Sequence, residues 1–314
     1  MKMNKKISKN KNTKDDSLLA PLESKLRATA GRLEATDAET LTHACSTDLI
    51  LPDKDVAVQI LRDLRKLIFP GYFGSELPRL ATSNGRIVGR LRKIAKRLLV
   101  QVQIAYAFEH CRKSGDTVER CPDGFRSEAL ATVEQFLDFI PLLREKIMKD
   151  IEATYQGDPA ANSREEIIFS YPGVFAIFVY RVANRLFELG VPFLPRMMSE
   201  YANSRTGIEI SPGASIGEYL MIDHGTGVVI GQTTTIGDRC KIYQGVTLGA
   251  LTTRDGQALS GVKRHPTVGN DVTIYANATI LGGDTTIGDG AVIGGNAFIT
   301  KSVPPGAKIS GFVG

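Results

Sequence analysis

The spacing of apolar residues changes character once along this chain. Up to about residue 205 it follows the 3.6-residue period of amphipathic helices. Ala57, Ile60, Leu61, Leu64, Leu67 and Ile68 form one such stripe, and Pro70-Gly71 stops it. The stretch from Ile87 to Phe108 keeps the same period. So does a third stripe of Phe136, Ile140, Leu143, Ile147 and Ile151. Ser163 followed by Glu166 has the spacing of a capping box and predicts a short helix. Pro172 suits the first turn of the next helix, and Gly190 its end. Between them Val174, Phe175, Phe178, Val182, Leu186 and Leu189 make one apolar face.

From about Thr206 the period becomes six. Ile210, Ile216 and Ile222 are six apart, as are Ile230, Ile236, Ile242 and Leu248. Val268, Ile274 and Ile280 follow, then Leu281, Ile287, Ile293 and Ile299. Glycine often comes next, as in Ile216-Gly217, Ile236-Gly237 and Ile293-Gly294. Six is neither a helical period nor the two-residue alternation of a sandwich strand. It is the hexapeptide repeat of a parallel β-helix, in which the aliphatic residue fills a triangular prism and small residues turn its corners. The predicted fold is therefore α+β: an N-terminal α-helical domain over residues 19–205, then a left-handed parallel β-helix over 206–314. Coils bury their faces only against one another, and the flat outer faces of such prisms pack on other copies, so a homo-oligomer is expected.

The repeat breaks in two places. Ile222 and Ile230 are eight apart, and the extra residues fall in Asp223-His224-Gly225-Thr226-Gly227. Between Leu248 and Val268 the period disappears, which predicts an extruded loop that rejoins the prism at Lys263-Arg264-His265-Pro266. Function tends to sit where a regular scaffold is interrupted. Of the chain's four histidines, His224 and His265 fall at these breaks, while His43 and His110 lie in the helical half.

Charge narrows the choice of partner. Six lysines before Asp16 outweigh the whole net charge of +5, so the rest of the chain sums to slightly negative. This argues against a nucleic-acid binder. The lysines precede no apolar segment, so residues 1–18 read as a solvated tail rather than a signal peptide. The basic run Arg86, Arg90, Arg92, Lys93, Lys96 and Arg97 alternates with Ile87, Leu91, Ile94 and Leu98 as the wet face of a helix would. No apolar run is long enough to cross a membrane. Cys45, Cys111, Cys121 and Cys240 are scattered, which fits reduced thiols in a cytoplasm. Cys240 falls within a hexad and reads as buried filler.

An exposed imidazole is a good general base for a hydroxyl. Arg264 is suited to a carboxylate, and Asp223 to an ammonium. That pairing of signs fits an amino-acid acceptor better than a sugar. A carbonic anhydrase on the same scaffold needs three histidines around zinc, and the repeat half holds two.

Four segments now carry a family resemblance: Met221-Ile222-Asp223-His224-Gly225-Thr226-Gly227, Gln244-Gly245-Val246-Thr247-Leu248-Gly249, Arg264-His265-Pro266 and Val303-Pro304-Pro305-Gly306. Together with Asp158-Pro159-Ala160 they resemble the serine acetyltransferases. The resemblance implies transfer of an acetyl group from acetyl-CoA, as co-substrate, to the hydroxyl of L-serine, with no metal. It makes His224 the general base and places Glu209 at the position of the carboxylate that orients it, where many members carry aspartate. It assigns Asp158, Asp223, Arg264 and His265 to serine, and Gly249, Ala276 and Gly295 to a groove for acetyl-CoA between two β-helices. It implies a homotrimer or a dimer of trimers, joined through the helical domain, and feedback inhibition by L-cysteine. The alternative is a hexapeptide O-acetyltransferase acting on a sugar or other small hydroxyl acceptor. Members commonly end in an isoleucine that docks into O-acetylserine sulfhydrylase. This chain stops at Ile309-Ser310-Gly311-Phe312-Val313-Gly314, so that complex is not expected in its usual form.

Overall fold

A computed structural model describes residues 20–40, 50–75, 77–114, 122–252, 254 and 256–311. The lysine-rich tail at 1–18, His43, Cys45, Cys121 and the last three residues lie outside the described residues. Residues 1–51 and 110–119 group as one compact unit, and 52–109 with 120–314 as another. The first unit contains α1 (Glu23–Thr40). The second contains the stripes and the repeat.

Its helices are α2 (Lys54–Ile68), the short α3 (Pro78–Ala81), α4 (Asn84–Ser114, which runs on past the unit), α5 (Arg126–Gly157), α6 (Arg164–Ser170), α7 (Pro172–Glu188) and α8 (Leu194–Thr206). Asp53 caps α2, accepting from the N–H groups of Asp55 and Val56. The expected stripe is its buried face, with Ala57, Ile60, Leu61, Leu64 and Ile68 shielded from solvent. Ser163 Oγ accepts from Glu166 N–H at 3.1 Å. The return half of this capping box differs from the sequence pattern. Glu166 Oε2 reaches the N–H of Asn162 at 2.8 Å, one residue further back. Pro172 opens α7, and Gly190 follows it in the left-handed conformation at φ 75°. The basic run lies on α4, where Arg97 pairs with Asp63 and Arg90 reaches the carbonyl of Lys66. No single described helix is long and apolar enough to cross a membrane.

The repeat forms the strands of a left-handed parallel β-helix. The first coil is β1 (Glu209–Ile210), β2 (Ser215–Ile216) and β3 (Met221–Ile222). The second is β4 (Val229–Ile230), β5 (Thr235–Ile236) and β6 (Lys241–Ile242). The third is β7 (Thr247–Gly249), β8 (Thr267–Val268) and β9 (Thr273–Ile274). The fourth is β10 (Thr279–Leu281), β11 (Thr286–Ile287) and β12 (Val292–Ile293), and β13 (Phe298–Ile299) and β14 (Lys308–Ile309) close the stack. Three parallel sheets result, in the orders β1-β4-β7-β10-β13, β11-β8-β5-β2 and β14-β12-β9-β6-β3. Each inward residue stacks on its counterpart a coil away, as Ile210 on Ile230 and Ile230 on Leu248.

The register corrects one reading of the repeat. Ile280, not Leu281, stacks on Leu248 and Ile299 and is fully buried. Leu281 points outward beside Gly249. The step from Ile280 to Ile287 is therefore seven residues, with the extra one at Leu281-Gly282-Gly283, where Gly282 has φ 106°. Cys240 is buried in the stack as expected, and burial pushes its thiol up to about 11.

A buried ion pair joins the helices to the first coil. Arg181 of α7 donates two hydrogen bonds to Asp150 of α5, at 2.6 and 2.7 Å, and a third to the carbonyl of Gly217 at 2.8 Å. Asp150 also accepts from the N–H of Leu220 at 3.0 Å. Both side chains are out of solvent, at 0% and 4% exposure. Burial opposes charge on Arg181, and the Asp150 carboxylate outweighs it, so the guanidinium stays protonated.

Candidate functional site

The prism has three edges, and each break lies on one of them. The corner between β3 and β4 carries the two-residue excess. Asp223 Oδ1 accepts from the N–H of His224 at 2.9 Å, and the chain turns through left-handed His224, Gly225 and Gly227. A Cβ on Gly225 would lie 2.3 Å from Ile208, so only glycine lets the turn sit against the first coil. His224 holds φ 56°, a conformation that costs a non-glycine residue energy. Its side chain is thrown out from the corner and is 72% exposed. Its Nε2 stands 3.7 Å from Asp223 Oδ2.

Asp158 reaches the same place from the C-terminus of α5. Its backbone N–H closes the helix on Thr154, and its Oδ1 accepts from the N–H of Ala160 at 2.8 Å. Its Oδ2 accepts from the hydroxyl of Tyr171 at 2.6 Å. The Tyr171 hydrogen bond, then the Ala160 N–H, hold this carboxyl below the usual range, and nearby His224 adds to the effect. The same contact pushes Tyr171 up to about 12. Tyr243, one coil beyond Asp223 and stacked on Tyr275 with ring centroids 5.1 Å apart, closes this side. Burial raises its pKa, and the carboxylate of Asp223 adds to that. The edge thus carries two carboxylates, with Tyr171 and Tyr243 beside them, next to one exposed imidazole, an environment suited to a cationic group.

Arg264 and His265 lie on the next edge, between β7 and β8, where the extruded loop returns. Thr233 organises them. Its N–H donates to His265 Nδ1 at 3.1 Å, and its Oγ1 accepts from the N–H groups of Arg264 and His265 at 3.0 and 3.1 Å. An Nδ1 that accepts a backbone N–H carries no proton, so the ring proton sits on Nε2. His265 is 8% exposed, and burial, helped by the positive charges of Arg264 and Lys263, lowers its pKa to about 4. It is thus a neutral N–H donor. Arg264 braces the loop, with Nη1 on the carbonyl of Leu259 at 3.0 Å and Nη2 on Gln232 Oε1 at 3.1 Å. Glycines clear the path of the returning chain. A Cβ on Gly231 would lie 2.0 Å from the His265 ring, and one on Gly283 would lie 2.4 Å from the carbonyl of Lys263.

One chain therefore brings together Asp158, Asp223 and His224, and keeps Arg264 and His265 on a different edge. Glu209 heads β1, beside Val229, and its carboxylate meets Arg196 at 3.4 Å. No hydrogen bond joins it to His224 among the described residues. Ala276 and Gly295 stack on the His224 edge, where a Cβ on Gly295 would lie 3.2 Å from the Ala276 carbonyl. Gly249 ends β7 at the mouth of the loop. Tyr171, Thr233 and Gly283 carry no sequence signal of their own. Gly231, directly after the repeat position Ile230, hints at a close approach. Among the described residues no group of three or more His, Cys, Asp or Glu side chains is placed to hold a metal ion.

No family model matches the chain. Individual proteins do. A plasmid-borne serine acetyltransferase of Synechococcus elongatus is 41% identical over 283 residues, 88% of each chain. A serine acetyltransferase of Helicobacter pylori is 45% identical over 161 residues, 51% of this chain and 90% of its own. Among solved structures, serine acetyltransferase isoform 3 of Entamoeba histolytica, in complex with cysteine, superposes with a TM-score of 0.67 at 31% identity, covering 91% of this chain and 92% of that one. With 88% of each sequence matched at 41% identity by the Synechococcus protein, this chain belongs to the serine acetyltransferase family.

Proposed function

We propose that His224 is the general base of the acetyl transfer, working on a serine whose ammonium lies against Asp158 and Asp223. The chain is a serine O-acetyltransferase, which moves the acetyl group of acetyl-CoA to the hydroxyl of L-serine and opens cysteine synthesis from serine. The observation that carries the residue assignment is the gathering of two carboxylates beside an exposed imidazole on one edge. His224 takes the hydroxyl proton as the serine oxygen attacks the thioester carbonyl. When the tetrahedral intermediate collapses the C–S bond breaks, and the departing CoA thiolate takes the proton back from His224. With both substrates held at once, positioning supplies much of the acceleration. The neutral Nε2–H of His265 is suited to the oxyanion or the serine carboxylate, and Arg264 to that carboxylate. Glu209 is proposed to orient His224, with Arg196 on its Oε1 leaving Oε2 for the imidazole.

Because His265 and Arg264 sit on a different edge from His224, a complete site in this reading takes the two edges from neighbouring copies of a homotrimer or dimer of trimers. Acetyl-CoA then lies in the groove between prisms, past Ala276 and Gly295 on one side and Gly249 on the other. The helical half, 19–205, serves oligomerisation and supplies Asp158. L-cysteine differs from serine by sulfur for oxygen and is proposed as a competing inhibitor, which the cysteine-bound Entamoeba neighbours support. A cytoplasmic location fits Cys240, a free and buried thiol. Docking to O-acetylserine sulfhydrylase is not proposed.

The test is serine-dependent release of CoA, followed with a thiol reagent, with and without L-cysteine. The reading expects L-serine to be the preferred acceptor and cysteine to raise its KM. CoA release no faster with serine than with water would overturn it. His224→Ala is expected to lose about 10²- to 10⁴-fold in kcat with the fold intact. Full activity in that variant would remove His224 from the role.

A further inference from the structure

Between the last turns of α2, the α6–α7 junction and the end of α8 lies a hollow of about 460 Å³ that the acetyl transfer does not use. Arg62, Arg65 and Arg205 line it. Among the described residues no carboxylate pairs with any of the three. Of the acidic residues on the surrounding helices, Asp63 pairs with Arg97, Glu200 pairs with Arg196 and Glu166 binds Asn162. Arg65 is half-buried, with its guanidinium 3.6 Å from the ring centre of Phe73 and 5.0 Å from that of Phe175. Burial pulls its pKa down, and the like charge of Arg205 adds to this. Three guanidinium groups are thus gathered with no counter-charge among the described residues, an arrangement that an oxyanion offsets through forked hydrogen bonds.

The walls say more about the occupant. Phe169, Phe175 and Tyr201 present flat rings, and Phe169 is 57% exposed. The N-terminus of α7, a 17-residue helix, opens on the same hollow without a side-chain cap, which adds a positive field. The volume falls in the range of small-molecule sites and leaves room for more than an inorganic oxyanion.

We infer that this hollow is a second ligand site, and that it takes an organic phosphate with a flat heteroaromatic body, of the nucleoside monophosphate class. The phosphate sits among Arg62, Arg65 and Arg205, and the base lies against the aromatic rings. The inference does not depend on the roles proposed for His224 or Asp158. Tyr171 lines the hollow on one side and holds Asp158 on the other, so the two sites share a wall.

Calorimetric titration of the full chain with adenosine monophosphate tests it, with adenosine and inorganic phosphate as separate arms, each repeated in saturating CoA. The nucleotide is expected to bind at least about tenfold more tightly than either fragment, since each lacks half of the contacts. CoA is expected to leave that binding unchanged. Arg62→Gln combined with Arg205→Gln is expected to weaken it at least about tenfold, without altering kcat or the KM for acetyl-CoA. Both arginines are exposed, so the fold should tolerate the change, and circular dichroism checks it. Should the pair fail to fold, Arg205→Lys keeps the charge but loses the fork and is expected to weaken binding measurably. Absence of nucleotide binding, its loss on adding CoA, or unchanged affinity in the variants would each overturn the inference.

Discussion

The hydroxyl of Tyr171 donates to Oδ2 of Asp158 at 2.6 Å, and this contact fixes the helical carboxylate that stands nearest His224. Removing it in Tyr171→Phe leaves Asp158 to its Ala160 contact alone. A hydrogen bond to a charged group contributes about 1.5–3 kcal/mol. The KM for serine is therefore expected to rise about tenfold or more, with kcat changing far less. The sign on pH follows from the depressed Asp158 carboxyl. Losing the donor lets its pKa rise, which an NMR titration of the Asp158 carboxyl reads as a move to higher pH. A fall in kcat with no change in the Asp158 titration or in the KM for serine would make Tyr171 merely structural.

His265 has its folded pKa near 4, against an ordinary value of 6.5. The unfolded chain takes up this proton first as the pH falls. The contribution of the neutral ring is therefore present above about 6.5 and is lost progressively between 6.5 and 4. His265→Asn keeps an acceptor for the Thr233 N–H but cannot titrate. Thermal midpoints taken across that window should fall more steeply for the parent chain than for this variant.

Gly231→Ala places a methyl group 2.0 Å from the His265 ring, so the ring must move. Stability should drop by about 1–3 kcal/mol, as for other overpacked sites, and serine turnover should fall well beyond what that loss explains. Chemical denaturation and steady-state kinetics on one preparation separate the two effects. Turnover equal to the parent would show that the position of His265 does not matter.

Asp150 and Arg181 lie between the helices and the first coil. Asp150→Ala leaves a buried guanidinium with only the Gly217 carbonyl, and is expected to cost about 3–5 kcal/mol. Replacing both residues with apolar side chains of similar volume should restore much of it. Urea midpoints for the single and double variants check this, and equal midpoints for parent and single variant would contradict it.

The period of six was enough to predict the prism, its two large interruptions and the corner placement of His224. This works because each inward residue must meet its counterpart one coil away, which makes the repeat visible along the chain. The choice between Ile280 and Leu281 was not legible. Both are aliphatic, and only stacking on Leu248 and Ile299 separates them. Helix stops and caps such as Pro172, Gly190 and Ser163 were legible because they act within one turn. Contacts such as Tyr171 to Asp158, Thr233 to His265 and Asp150 to Arg181 span 13 to 32 residues and leave no periodic trace. Glu209 was expected to serve His224 by position alone, and its meeting with Arg196 depends on how α8 packs beside β1. The different characters of the two histidines were equally hidden, since sequence shows neither burial nor the Thr233 N–H.

The unequal corners of the prism have a further consequence. Two added residues between β3 and β4, a long excursion between β7 and β8, and one extra residue between β10 and β11 all leave the inward stack of Ile210, Ile230, Leu248, Ile280 and Ile299 unbroken. Each strand aligns on the coil before it, so length added at an edge need not propagate as an error down the axis. Such a molecule can be lengthened, shortened or rewritten at its edges while its folding problem stays the same. Changes of acceptor or of control in a chain of this design can therefore come by editing corners, with the interior carried over untouched.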